Sequence, residues 1–311
     1  MCNIPAISYS ASGQKISPFL AGTISIWLFL LWVSLAHTAA PTSQFEPSQV
    51  TLTQEEKLWN AKWISTINNQ QSTINNQQII GFEALLRWNN PSLGQVSPIE
   101  FIPIAENNGL IIPIGQFVLE QALHITALWQ QKYNQSFSIA VNLSPQQFRD
   151  PDLLKYITTA LQKSGIKSGS LELEITEGVL MSDHAYIKDT MSALTQLDVK
   201  IAMDDFGTGY SSLSYLRNYP FHTLKIDREF INNITINTAD QGLTKAAITM
   251  AHSLGLKVVA EGIETEGQLA LLALQDCDIA QGFLFCKPLS PEQMSSMLKE
   301  KSNTNANKQH S

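Results

Sequence analysis

The chain has 311 residues, a formal net charge of -7 and 44% hydrophobic residues, enough apolar material for one large core or two modest ones. Its acidity and lack of any basic run exclude a general DNA- or RNA-polymer surface, which must neutralise phosphates with Lys and Arg. Cys2, Cys277 and Cys286 have neither metal-ligand spacing nor a disulfide-framework pattern, and read as reduced, structural thiols.

Taken in chain order, Phe19 to Ala36 is an uncharged apolar run of about the length that crosses a bilayer as a helix. Only Lys15 stands before it as a positive flank, and Thr38-Ala39-Ala40 offers a small-residue cleavage site. A membrane anchor is favoured over a cleaved signal, with a mis-assigned start as the third reading. Residues 1–40 are therefore an anchor or signal-like segment. Residues 41–78 read as a linker, with Pro41 and Pro47 interrupting, that ends in a tandem heptapeptide: Ser65-Thr66-Ile67-Asn68-Asn69-Gln70-Gln71 recurs as Ser72 to Gln78. One Ile per copy and two copies are too few for a coiled coil, so the repeat reads as a low-complexity insertion.

From Ile79 the pattern becomes regular, and residues 79–300 are predicted to form one barrel domain. Strands are predicted over 79–85, 137–143, 170–175, 199–204, 223–227, 257–261 and 279–285. Between them lie helical stripes, one of Ile114, Phe117, Val118, Ala122, Ile125 and Trp129, another of Leu243, Ala246, Ala247, Met250, Ala251 and Leu254. Strand-helix alternation of this kind predicts a mostly parallel sheet with helices outside it, an α/β fold of modified TIM-type β/α barrel architecture. The tail, 301–311, is polar without apolar period and is predicted to be disordered.

Polar residues fall at the carboxyl end of each strand: Glu83, Asn142, Glu174 with Glu177, Asp204-Asp205, Lys225, Glu261 and Gln281. In a β/α barrel those ends share one mouth, where active sites are built. Asp204 and Asp205 close an apolar run and open into Phe206-Gly207-Thr208-Gly209. Two adjacent carboxylates buried together ask for a cation, whereas an Asp-rich surface turn is the alternative for this fragment alone.

Seven short motifs in one order resemble the EAL domain of bacterial cyclic di-GMP phosphodiesterases: Glu83-Ala84-Leu85 with Leu86-Arg87-Trp88, Val141-Asn142-Leu143-Ser144, Glu174-Ile175-Thr176-Glu177, Asp204 to Gly209, Lys225-Ile226-Asp227, Ala260-Glu261-Gly262-Ile263-Glu264 and Gln281-Gly282-Phe283. The resemblance runs from about Ile79 to Leu298. It implies hydrolysis of one phosphodiester of cyclic di-GMP to linear pGpG, with two divalent ions, Mg²⁺ or Mn²⁺, as cofactors. It implies further that Glu83, Asn142, Glu174 and Asp204 hold one ion, and that Asp204, as a bridge, and Asp205 hold the second. Lys225 would steady the attacking water and Glu261 would act as general base. Gln281 would bond a water or substrate oxygen and Arg87 a substrate phosphate. Glu177 would anchor the loop that contains Phe206, Gly207, Thr208 and Gly209. A homodimer formed near that loop is implied too, and, because cyclic di-GMP is cytoplasmic, a catalytic domain on the cytoplasmic side of the inner membrane, with a possible membrane contact through residues 19–36.

The chain departs from the family at one place: no Gln-Pro strand precedes Glu83. The first strand is therefore predicted to be missing or replaced, with Lys57 to Thr66, through Trp59, Ala61, Trp63 and Ile64, as the poor substitute on offer. An empty position would leave two sheet edges unpaired and move the reading from enzyme to silent cyclic di-GMP receptor or damaged remnant. A secreted barrel glycosidase is the more distant alternative, since it needs chiefly two carboxylates.

Overall fold

The computed structural model describes residues 59–66, 79–90, 94–181, 184–207 and 213–308, of which 59–66 and 301–308 are described by their backbone. The apolar run 19–36, the second heptapeptide and Thr208 to Ser212 lie outside the described residues.

Ten strands are described. Eight of them close a barrel in the order β1-β10-β9-β8-β7-β6-β5-β2. They are β1 (Trp59–Thr66), β2 (Ile79–Leu86), β5 (Ser138–Asn142), β6 (Leu171–Ile175), β7 (Lys200–Phe206), β8 (Thr223–Ile226), β9 (Lys257–Ala260) and β10 (Ile279–Ala280). A small hairpin, β3 (Trp88–Asn90) with β4 (Gly94–Val96), stands outside the barrel. From β2 round to β10 every pairing is parallel, and each of the seven predicted strands has its counterpart.

β1 answers the question left by the sequence. It lies antiparallel between β2 and β10, with Trp59 opposite Leu86, Ile64 opposite Gly81 and Thr66 opposite Ile279. The first-strand position is thus occupied, and by the substitute segment. The barrel begins inside what the sequence assigned to a linker, 41–78, and Ser65-Thr66 of the first heptapeptide are strand. Local pattern is weak there because pairing, not propensity, makes the strand: β1 satisfies the hydrogen-bonding edges of two neighbours at once.

Helices cover the outside. Helix α1 (Pro98–Asn107) leads into α2 (Ile111–Tyr133), which buries Val118, Leu119, Ala122 and Leu123 and sets Trp129 edge-on to Phe82 of β2, centroids 4.7 Å apart. Among the described residues α2 alone is long and apolar enough to cross a membrane. Of the predicted stripe, Val118, Ala122 and Trp129 are buried, whereas Ile114, Phe117 and Ile125 pack half-buried against the core and Leu119 and Leu123 are buried in addition. Next come α3 (Pro145–Phe148), α4 (Leu153–Ser164), α5 (Glu177–Leu180), α6 (His184–Gln196), α7 (Leu213–Asn218), α8 (Arg228–Asn232), α9 (Thr238–Ser253), α10 (Glu266–Leu274) and α11 (Pro291–Lys308). On α9 the inward stripe is Thr244, Ile248 and Ala251, while Leu243 is 55% exposed. Of the predicted stripe, Ala251 is buried and Ala247 and Met250 pack half-buried against the core, while Leu243 and Leu254 face out; docking on the sheet turns the helix toward Thr244 and Ile248.

Over the tail, predicted as disordered at 301–311, the backbone of 301–308 is helical, and 309–311 lie outside the described residues. α11 continues to Lys308. Met294 and Leu298 are buried and anchor its first turns, and once nucleated a helix gains one bond for each further residue. The main core lies between barrel and helices, whereas inside the barrel Val259 and Ile279 form a small apolar layer with Ile80 against it. The volume above that layer is left to polar side chains.

Candidate active site

Sheet register decides which side chains meet. Asn142 pairs with Glu174 across β5 and β6, and Glu174 with Ala202 across β6 and β7, so both lie at the same height inside the barrel mouth. Lys225 enters from β8 and is 2% exposed. Its ammonium lies 2.6 Å from Glu174 Oε1, 2.9 Å from Glu261 Oε1 and 3.0 Å from Asp204 Oδ1. Glu83, from β2, is held by two amides: Asn142 Nδ2 donates to Oε1 at 3.1 Å and Gln281 Nε2 donates to Oε2 at 2.5 Å. Asn142, Glu174, Asp204, Lys225, Glu261, Gln281 and Glu83 are thereby gathered into one connected cluster.

Asp204 and Asp205, adjacent in sequence, part company in space. The pairing of β7 with β8 shifts register between Met203 and Phe206, and Asp205 takes the left-handed backbone conformation with φ 54. Asp is among the few side chains that tolerate that region, and a bulge at a barrel rim re-aims the residue it carries. Asp204 therefore turns inward and is buried, while Asp205 is exposed. Gly207 follows with φ 99, and the loop beyond it lies outside the described residues. Glu177 is buried at the start of α5, just past β6. Arg87 is half-buried, its Nη1 donating to the Leu86 carbonyl at 2.9 Å; burial pulls its guanidinium down and Glu83 opposes the shift.

The electrostatics are unbalanced. Glu83, Glu174, Asp204 and Glu261 act on one ammonium, with Asp205 turned outward beside them. Burial pushes the Glu174 carboxyl well above the ordinary range, Lys225 pulls it back, and Glu83, Asp204 and Glu261 push it further up. Glu261 and Asp205 are raised for the same first reason. Burial alone would lower Lys225, but Glu174, Glu261, Asp204 and Glu83 outweigh it and hold the ammonium well above its usual value. Two buried oxygens, Glu174 Oε2 and Gln281 Oε1, have no hydrogen-bond partner. A surplus of carboxylate with orphaned oxygens is the donor set that hard divalent ions prefer. Among the described residues, however, no three acids are drawn into a ready ligand cluster. The Lys225 ammonium sits where their oxygens would converge.

Among the described residues, histidines take no part in this site. His184 Nδ1 lies 2.6 Å from Tyr219 Oη, His222 Nδ1 accepts from Ile201 N at 3.2 Å, and His252 Nε2 lies 2.8 Å from Asp278. Cys277 and Cys286 are free thiols, Cys277 buried, with its thiol pushed up by burial to about 12. The sequence reading passed over Gln268 at the start of α10. Its signal was available, since Thr265-Glu266-Gly267-Gln268 has the spacing of a capping box, which the structure contains.

The model of the EAL domain family matches residues 68–288. The chain belongs to the EAL family. Strand β1 lies ahead of that match, so the EAL barrel here is closed by residues outside the matched stretch. Signaling protein YkoW of Bacillus subtilis is 41% identical over 231 residues, covering 74% of this chain and 29% of that protein. Cyclic di-GMP phosphodiesterase PA2567 of Pseudomonas aeruginosa is 39% identical over 219 residues, covering 70% of this chain and 37% of that protein. The chain thus spans little more than a third, at most, of these curated relatives. Among solved structures, the PaMucR phosphodiesterase in complex with c-di-GMP superposes with a TM-score of 0.70 at 38% identity, covering 77% of this chain and 95% of that one.

Proposed function

We propose that this EAL domain hydrolyses cyclic di-GMP to linear pGpG with the help of two divalent ions, Mg²⁺ or Mn²⁺. One observation carries the reading: a buried ammonium, Lys225, surrounded by more carboxylate than it can neutralise, with Glu174 Oε2 left unpartnered at the mouth. Relatives named as cyclic di-GMP phosphodiesterases support the substrate class. Glu83, Asn142, Glu174 and Asp204 would hold one ion, and Asp204 and Asp205 the other. Such a pair supplies charge compensation to the attacking and leaving oxygens of an in-line displacement.

The chain's own residues do the remainder. Lys225 stays protonated and presents its charge to the oxygens of the scissile phosphate and the attacking water. Glu261 keeps 19% of its side-chain surface open and is the acid of the Lys225 trio with most access to solvent. Its raised carboxyl is the better proton acceptor for an incoming water. Gln281 fixes Glu83 through its amide nitrogen, and its free Oε1 accepts from water or substrate. Arg87 meets a phosphate from the rim. The same reading pairs two copies near the Phe206–Gly209 loop and keeps the barrel in the cytoplasm, tethered to the inner membrane where residues 19–36 span it.

Purified full-length chain incubated with cyclic di-GMP and either Mg²⁺ or Mn²⁺ should release pGpG, resolved by anion-exchange chromatography. Nucleotide binding with no turnover in either ion would instead make the domain a silent receptor. The motive for that second reading was an empty first-strand position, and β1 fills it.

A further inference from the structure

The short helix α8 lies against two turns of the mouth at once. On one side, a β-carbon added to Gly207 would fall 2.5 Å from Cε2 of Phe230, and Gly207 has φ +99. The Phe230 ring therefore occupies the space that only glycine leaves beside the Asp204-Asp205 turn. On the other side, a β-carbon on Gly262, φ +69, would fall 2.4 Å from Cβ of Arg228. That glycine immediately follows Glu261, whose backbone nitrogen donates to the Ile226 carbonyl at 3.1 Å.

Gln268 ties this helix to the Glu261 turn. It is 5% exposed, and both ends of its carboxamide are used. Oε1 accepts from Glu264 N at 2.8 Å and Thr265 N at 2.9 Å, while Nε2 donates to the Ile231 carbonyl at 3.1 Å and the Asn232 carbonyl at 3.3 Å. Capping the start of α10 needs only the accepting half, which a glutamate in that position supplies equally well. The donating half is surplus to the cap, and only an amide has it. It joins the loop that carries Glu261 to the last carbonyls of α8.

We propose that Gln268 is a positioning residue for the hydrolysis: its carboxamide locks the Glu261 turn to α8, and α8, through Phe230 on Gly207, locks both to the Asp204-Asp205 turn. The inference rests on the phosphodiesterase reading for its chemistry. In physical terms, acids from β7 and β9 hold one spacing because a rigid segment between them touches both turns. Displacement of a reacting group by about 1 Å is enough to cost roughly 100-fold in rate.

The decisive variant is Gln268→Glu, which keeps the cap and removes the two donor bonds to α8. Its far-UV spectrum should match the parent. kcat for cyclic di-GMP should fall by about 10- to 100-fold with KM changed less than about twofold, and the backbone amides of residues 205–207 and 261–263 should exchange hydrogen faster. A parent-like kcat in folded Gln268→Glu overturns the proposal, as does a fall in kcat matched by an equal rise in KM. If Gln268→Glu does not fold, Phe230→Leu loosens the other end of the same linkage, and unchanged kcat there overturns it equally. The parent protein is assayed alongside. If it turns over no cyclic di-GMP, the phosphodiesterase reading fails by itself, and exchange at residues 205–207 still decides the linkage, unchanged rates in Gln268→Glu ruling it out.

Discussion

The two ends of the barrel treat buried polar groups in opposite ways. At the floor, where strands begin, Gln130 Nε2 donates to the Phe137 carbonyl at 2.7 Å and to Ser170 Oγ at 2.8 Å, and its Oε1 accepts from Lys167 N at 3.0 Å. Thr223 Oγ1 donates to Glu172, and His222 Nδ1 accepts from Ile201 N. At the mouth, four carboxylates, Glu83, Glu174, Asp204 and Glu261, act on a single ammonium, and Glu174 Oε2 and Gln281 Oε1 have no partner. Satisfied polar networks stabilise a fold; unsatisfied ones are kept where something else must bind.

That contrast breaks most easily at Lys225. Lys225→Met should lower kcat for cyclic di-GMP by about 100- to 1,000-fold, the usual result of removing a preorganised donor at a site of developing charge. Steady-state kinetics check this, and a Lys225→Met enzyme within threefold of the parent would make the mouth no different from the floor. The converse experiment is Gln130→Leu. It orphans floor groups at about 1–3 kcal/mol each, read as a lower urea midpoint, while kcat of the folded protein stays within about twofold.

Acid should sharpen the difference further, because the ends titrate with opposite sign. Burial lowers His222, so its contribution to stability is present above the unfolded value of about 6.5 and is lost as pH falls through the lower folded value. Glu174, Glu261 and Asp205 are raised, so in EDTA their contribution is complete below the ordinary carboxylate value of about 4 and is lost as pH rises through the higher folded values. Urea midpoints across pH 4–8 should lose their acid limb in His222→Gln and their opposing slope in Glu174→Gln. The smallest effect concerns Cys277. With its thiol pushed up to about 12, it should resist alkylation at pH 8 in the native protein and react readily in urea.

Much of the barrel was legible because its strands are short β-branched runs separated by helix-length spacers, a pattern that local chemistry fixes. Membership in the cluster was legible for a related reason: Asn142, Glu174, Asp204, Lys225, Glu261 and Gln281 stand at or beside the carboxyl ends of their strands, with Glu83 in the second half of β2, and a parallel barrel brings those ends to one rim. Less visible was the parting of Asp204 from Asp205, which depends on a register shift against β8 and a left-handed residue. Gln268 was invisible as a link, since its partners Ile231 and Asn232 lie on a separate helix far back in the chain. The outer part of the predicted α9 stripe, Leu243 and Leu254, faces out because the sheet the helix docks on sets its rotation.

By itself, then, the sequence determined the alternation of strand and helix, the placement of acids and amides at one end of each strand, and the EAL motifs in their order. These follow from side-chain type and spacing within single elements. Tertiary structure decided that residues 59–66 complete the barrel, that Lys225 stands at the centre of the acids, and that Asp205 faces away from Asp204. Each of those depends on hydrogen bonds or charges between segments distant in sequence, and such pairings have no energy until the chain has closed on itself.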